Sequence, residues 1–164
     1  MNKKTMCARL GVAATVLVLA GSVLGAEKPN FSGTWVVDPG ESRLADWAKF
    51  DQTTITIEHK DPSFRFHRVS VKSGRSDESA YALTTDGAEK VEKEGGRTST
   101  SRLTWDGDTL VFQDVIVLAN GRQATDVVRY ILKDGGKTLV AEESFRGPVV
   151  KYDNLWVADK KNTL

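Results

Sequence analysis

A chain of 164 residues with a single cysteine forms no internal disulfide, so its stability must come from a packed core, for which the length suffices in one domain. Its 23 lysines and arginines against 22 aspartates and glutamates supply no concentrated positive field, which excludes nucleic acid and anionic membrane surfaces as natural partners.

The chain opens Met1-Asn2-Lys3-Lys4, with Arg9 following, and then runs from Leu10 to Leu24 without a charge. A basic start, a short apolar stretch and small residues behind it predict a cleavable signal peptide over residues 1–26, cut after Gly25 or Ala26. The apolar run is shorter than the roughly 20 residues a helix needs to cross a bilayer, so no stable membrane span is expected in the mature chain. Cys7 precedes the run and leaves with it. The mature chain, 27–164, then carries 20 basic and 22 acidic residues and no cysteine. A periplasmic or extracellular monomer is expected.

The body is a series of short segments rich in Val, Ile, Thr and aromatic residues, which predict strands near 32–38, 53–60, 63–72, 78–85, 97–105, 109–119, 123–133, 137–146 and 149–158. Asp61-Pro62, Asp86-Gly87, Asp106-Gly107, Asn120-Gly121 and Asp134-Gly135-Gly136 punctuate them as tight reversals. Gaps this short forbid parallel crossovers, so neighbours pair antiparallel in a meander. With Asp61-Pro62 as a two-residue tip, Ile57 faces Phe66 and Ile55 faces Arg68 on an apolar surface. Glu58 then faces Arg65 and Thr56 faces His67 on a polar one.

A meander of eight to ten strands leaves two long open edges unless it curls, so the expected fold class is all-β, an up-and-down barrel of 8–10 strands. Two segments differ. Glu41 to Phe50, after Asp38-Pro39-Gly40, predicts a short helical insertion behind the first strand, capped by Ser42 and anchored by Trp47 at one end of the barrel. Residues 86–97 are charged and end in Gly95-Gly96, and predict a solvated loop or a weakly paired strand end.

The segment Phe31-Ser32-Gly33-Thr34-Trp35 resembles the Gly-x-Trp opening strand of the calycin barrels, the lipocalins and fatty-acid-binding proteins, whose Trp closes the barrel floor. The same order of parts continues through Trp105-Asp106-Gly107-Asp108-Thr109-Leu110-Val111 and Asp134-Gly135-Gly136-Lys137-Thr138-Leu139-Val140, which look like the Asp-Gly hairpins of fatty-acid-binding proteins. The chain is also similar to uncharacterised secreted lipocalin-like proteins of bacteria. The resemblance covers most of residues 31–158. It implies a barrel that holds a small ligand, but two departures limit what carries over. Arg129 and Tyr130 are adjacent, unlike the family's Arg-x-Tyr, and so point to opposite faces. Val37 stands where the similarly opening avidins place an Asn, which excludes biotin.

Candidate chemistry is sparse. His59 and His67 fall on opposite faces of their hairpin, without a cysteine to complete a metal site, so no metal and no cofactor is expected. No Gly-x-Ser-x-Gly motif is present, and no catalytic residue is assigned. Polar residues on apolar stripes are the stronger signal. Arg68 continues Phe64-Phe66, Glu143 interrupts Leu139-Ala141-Phe145, and Asn154 sits between Tyr152 and Trp156. On the strand before, either Asp126 with Val128 and Tyr130, or Arg129 with Val127 and Ile131, faces inward. A buried charge needs a partner, which for Arg68 would be Glu143, water or an anionic head group. The expected ligand-binding set is therefore Trp35, Phe66, Arg68, Tyr130, Glu143, Tyr152 and Asn154, in a non-enzymatic protein that binds a small amphipathic or lipid-like ligand. The alternatives are a filled barrel that acts as an envelope interaction module or enzyme inhibitor through its loops, with an exposed apolar patch at Trp47 or residues 86–97, and an enzyme that pairs Asp126 with Glu143.

Overall fold

The alternation of apolar and polar residues becomes one antiparallel sheet in the structure, a computed structural model that describes residues 27–161. The expected signal peptide, residues 1–26, lies outside the described residues. Ten strands follow in chain order: β1 (Gly33–Val37), β2 (Gln52–Lys60), β3 (Ser63–Lys72), β4 (Arg75–Thr84), β5 (Lys90–Glu94), β6 (Arg97–Asp106), β7 (Thr109–Val117), β8 (Gln123–Lys133), β9 (Thr138–Arg146) and β10 (Lys151–Lys160). The hydrogen-bonded order is β4-β3-β2-β1-β10-β9-β8-β7-β6-β5, a meander whose first strand pairs with its last. The register of the first hairpin is the one its sequence dictates: Ile57 opposite Phe66, Ile55 opposite Arg68 and Thr56 opposite His67. Glu58 and Arg65 form the exposed ion pair at 3.7 Å.

Closure is nearly, but not fully, achieved. β4 and β5 are the free edges of the sheet, and the seam between them is bridged at one end by the Asp86–Thr104 bridge and by Gly87 N–H donating to the Leu103 carbonyl at 3.0 Å. Residues 86–97 are thus more than a loop, since they contain β5, paired to β6 from Glu94–Arg97 up to Lys90–Ser101. Gly95 and Gly96, with φ of 55° and 77°, form the tight reversal between them. Every residue of β5 is exposed, and with four charged side chains around the single Val91 it has no continuous apolar face to press against β4. That composition leaves the seam open and also discourages a second chain from adding to the edge.

The helical insertion is reduced to a single 3-10 turn, Asp46–Ala48. Ser42 does not cap it. Its hydroxyl donates to the Val157 carbonyl at 3.3 Å and accepts from the Val157 N–H at 3.0 Å, which ties the segment to β10. Nor is Trp47 the apolar anchor, for it remains 54% exposed with its edge against Tyr152, whereas Ala48 is fully buried. Leu44 and Phe50 pack on the core beside it.

Inward side chains fill one half of the barrel. Trp35, Phe31, Phe64, Ile57, Leu103, Leu110 and Leu139 are essentially inaccessible and make the closed floor. The Trp35 indole N–H donates to the Phe31 carbonyl at 3.2 Å, and the Lys160 ammonium lies 5.1 Å from the Trp35 ring centroid. His59 belongs to this floor: its Nδ1 accepts from the Phe31 N–H at 3.3 Å, and its ring meets Phe31, Phe64 and Trp105. Gly33, opposite Ile57, has φ of 151° and admits the Lys160 side chain where a Cβ would stand. Truncating Trp35 to alanine should remove about 3–5 kcal/mol of stability, measured by denaturant unfolding. A loss below about 1 kcal/mol would show that the floor does not depend on it.

Candidate functional site

Above this floor the inward side chains stop meeting, and they line an open-mouthed cavity of about 620 Å³. Strand parity supplies its walls. β3 contributes Phe66 and Arg68, β4 contributes Asp77, Ser79 and Tyr81, and β7 contributes Phe112 and Asp114. β8 adds Asp126, Val128 and Tyr130, β9 adds Ala141 and Glu143, and β10 adds Tyr152 and Trp156. Trp47 and Phe50 border the space from the segment behind β1. The barrel is therefore not filled, as a protein acting only through its loops would allow.

One wall is an aromatic stack that spans the open seam. Tyr81 of β4 stacks on Phe66 at 4.9 Å and on Phe112 of β7 at 4.8 Å between ring centroids. Its hydroxyl lies 2.9 Å from that of Tyr130 on β8. Burial raises both phenols above their ordinary range, so both remain neutral donors and acceptors at physiological pH. The pair joins two strands that no backbone hydrogen bond connects.

The polar wall is organised around Glu143. Its carboxylate accepts from the Trp156 indole N–H at 2.8 Å, from the Asn154 side-chain amide at 2.9 Å and from the Tyr152 hydroxyl at 3.3 Å. Three donors committed to it hold the Glu143 side chain in one orientation. Asn154 stands behind it rather than in the cavity, and its Oδ1 accepts from the Ala45 N–H at 2.8 Å. Asp114 accepts from Ser99 at 2.6 Å and from Ser101 at 3.1 Å. The Arg68 guanidinium lies 5.3 Å from the Trp156 ring centroid, and its Nε is shielded without a hydrogen-bond partner among the described residues.

Asp126 has the least accommodating surroundings. Its Oδ1 is shielded and unpartnered among the described residues. Burial, then the neighbouring carboxylates of Glu143 and Asp114, push its carboxyl up to about 7 against a weaker pull from Arg68. The parity left open by the sequence is thus decided: Asp126 faces the cavity, while Arg129 points outward and pairs with Asp106 at 2.9 Å.

Of the seven residues singled out in the sequence, Phe66, Arg68, Tyr130, Glu143 and Tyr152 line the cavity, and Asn154 orients Glu143. Trp35 does not reach it, because it is fully buried in the floor beneath. The sequence reading passed over Tyr81, Phe112 and Asp114. Each lies in alternation with a core residue, Leu83 or Leu110, which was the available signal.

With this geometry, comparison with solved structures becomes informative. Secretory abundant heat soluble protein 4 from Ramazzottius varieornatus superposes with a TM-score of 0.50 at 14% identity, over 80% of this chain and 95% of that one. Lipid binding protein 8 of Caenorhabditis elegans gives 0.52 at 13% identity, over 80% and 95%. Zebrafish ileal bile acid-binding protein, complexed with cholic acid, gives 0.51 at 12% identity, over 80% and 98%. The fold is a calycin-type barrel. No protein-family model matches the chain, and no curated protein does. Identities this low establish the calycin architecture alone, so the chemistry of this barrel has to be read from its own residues.

Two outcomes test the site. Tyr130→Phe leaves the Tyr81 hydroxyl without its partner and should cost about 1–3 kcal/mol in unfolding free energy, whereas the Tyr81→Phe, Tyr130→Phe double variant should cost less than the sum of the single variants. The second concerns pH. The folded chain keeps the Asp126 proton up to about 7, while the unfolded chain releases it near the ordinary 3.8, so this group removes stability as the pH rises between them. Asp126→Asn should therefore lose less stability than the parent between about pH 4 and about pH 7, and an unchanged pH difference would show that Asp126 is solvated.

Proposed function

We propose that this chain is an exported, monomeric binding protein that holds a small amphipathic or lipid-like ligand in its barrel and performs no covalent chemistry on it. The observation that carries the reading is the cavity of about 620 Å³, within the range of small-molecule sites, with an aromatic wall and a few fixed polar groups at one side. Aromatic rings supply apolar area at low conformational cost, and polar groups held by neighbours supply orientation. That barrels of this architecture include a lipid binding protein and a bile acid-binding protein with cholic acid bound is consistent with it. Export rests on the basic and apolar pattern of residues 1–26, and periplasmic or extracellular action follows from it. Glu143 is occupied by three donors, which suits an orienting group better than a proton-transfer partner for Asp126.

Native mass spectrometry of the protein from its expressing host, joined to titration with an environment-sensitive fluorescent amphiphile, should show a saturable one-to-one complex. Ser79→Trp, which places an indole in the lumen, should weaken the fluorophore at least about tenfold while the chain stays folded. Absence of any complex across single-chain amphiphiles of every charge would refute the reading.

A further inference from the structure

The cavity's charge is lopsided. Four carboxylates, Asp77, Asp114, Asp126 and Glu143, line it against one guanidinium, that of Arg68. The imbalance is not relieved locally. Glu143 and Asp114 receive only neutral donors, from Trp156, Asn154 and Tyr152 and from Ser99 and Ser101, and these satisfy lone pairs without cancelling charge. Arg68 rests on the Trp156 ring, and its pull on Asp126 is outweighed by the push from Glu143 and Asp114. The Phe66–Tyr81–Phe112 stack supplies apolar area for a tail at the same cavity.

We propose that the ligand is a cationic amphiphile, an apolar tail bearing an ammonium head group that sits between Asp126, Asp114 and Glu143 with its tail along the aromatic stack. The inference rests on the ligand-binding reading above and narrows its chemical class. A carboxylate head group entering the same cavity finds one guanidinium and adds to an excess of acidic groups, whereas an ammonium supplies counter-charge beyond the single one that Arg68 provides. Groups from every wall shape this field: Arg68 of β3, Asp77 and Tyr81 of β4, Asp114 of β7, Asp126 and Tyr130 of β8, Glu143 of β9 and Tyr152 of β10.

The test is calorimetric titration of the purified protein, at about pH 8 where Asp126 is ionised, with decyltrimethylammonium, decanoate and decyl glucoside, which share a tail and differ in charge. Decyltrimethylammonium should bind at least about tenfold more tightly than either of the others. Asp126→Asn and, independently, Asp114→Asn should each weaken it by about threefold or more, and Arg68→Met should tighten it. Near-ultraviolet circular dichroism of each variant confirms that the barrel is intact. Decanoate binding as tightly or more tightly, with its affinity lost in Arg68→Met, would overturn the cationic assignment and leave the ligand-binding reading standing. Equal binding of the glucoside would also overturn it. If none of the three binds, the ligand-binding reading fails and this inference with it.

Discussion

The lumen exists because β1, five residues long, is hydrogen-bonded on both flanks. It pairs with β2 from Gly33–Ile57 to Val36–Thr54 and with β10 from Trp35–Lys160 to Val37–Ala158. Without it the sheet divides into β2–β4 and β5–β10, and neither part encloses a volume. The strand is too short to hold these flanks by backbone bonds alone. Its inward Trp35 makes the difference, since that indole is the largest fully buried side chain and anchors both halves to one floor.

On the opposite side of the barrel the seam between β4 and β5 lacks a ladder, and side chains take its place. Tyr81 crosses from β4 to Phe112 and Tyr130, so the aromatic wall of the cavity is also the clasp that keeps the barrel from opening. At the unpaired seam, stacked rings supply contact area and a fixed geometry that no ladder provides there. The polar side shows the reverse economy. Three donors converge on Glu143 and keep it in place, while Asp126 keeps one shielded oxygen without a partner among the described residues. A largely shielded carboxyl in that condition costs stability when it ionises.

Much of the fold was legible because β-structure writes a period of two into the chain. The hairpin around Asp61-Pro62 could be registered residue by residue, since Ile55, Ile57, Phe64 and Phe66 had to share one face and the turn set the offset. The same parity placed Arg68 and Glu143 inward. It failed where the apolar signal was absent or evenly split. β5, Lys90–Glu94, carries no apolar stripe, so its sequence suits a solvated loop or a weakly paired strand end equally, and Asp126 and Arg129 have equally apolar companions. Trp47 misled for a different reason: its size suggested an anchor, but the short turn it occupies buries the small Ala48 and leaves the indole at the rim.

Local pattern determined nine of the ten strands, their antiparallel order, the turn positions and most of the alternation toward the interior, because these depend on neighbours in sequence and on the two-residue repeat. What only the tertiary structure decided is where the interior is full and where it is empty. Trp35 and Tyr130 are both inward aromatics of β strands, yet one closes the floor and the other lines the cavity, according to which residues arrive opposite them from strands far away in the chain. The same holds for charge. That Arg68, Asp114, Asp126 and Glu143 share one lumen follows from the curl of the sheet, a long-range consequence of β1 meeting β10 that no local repeat encodes.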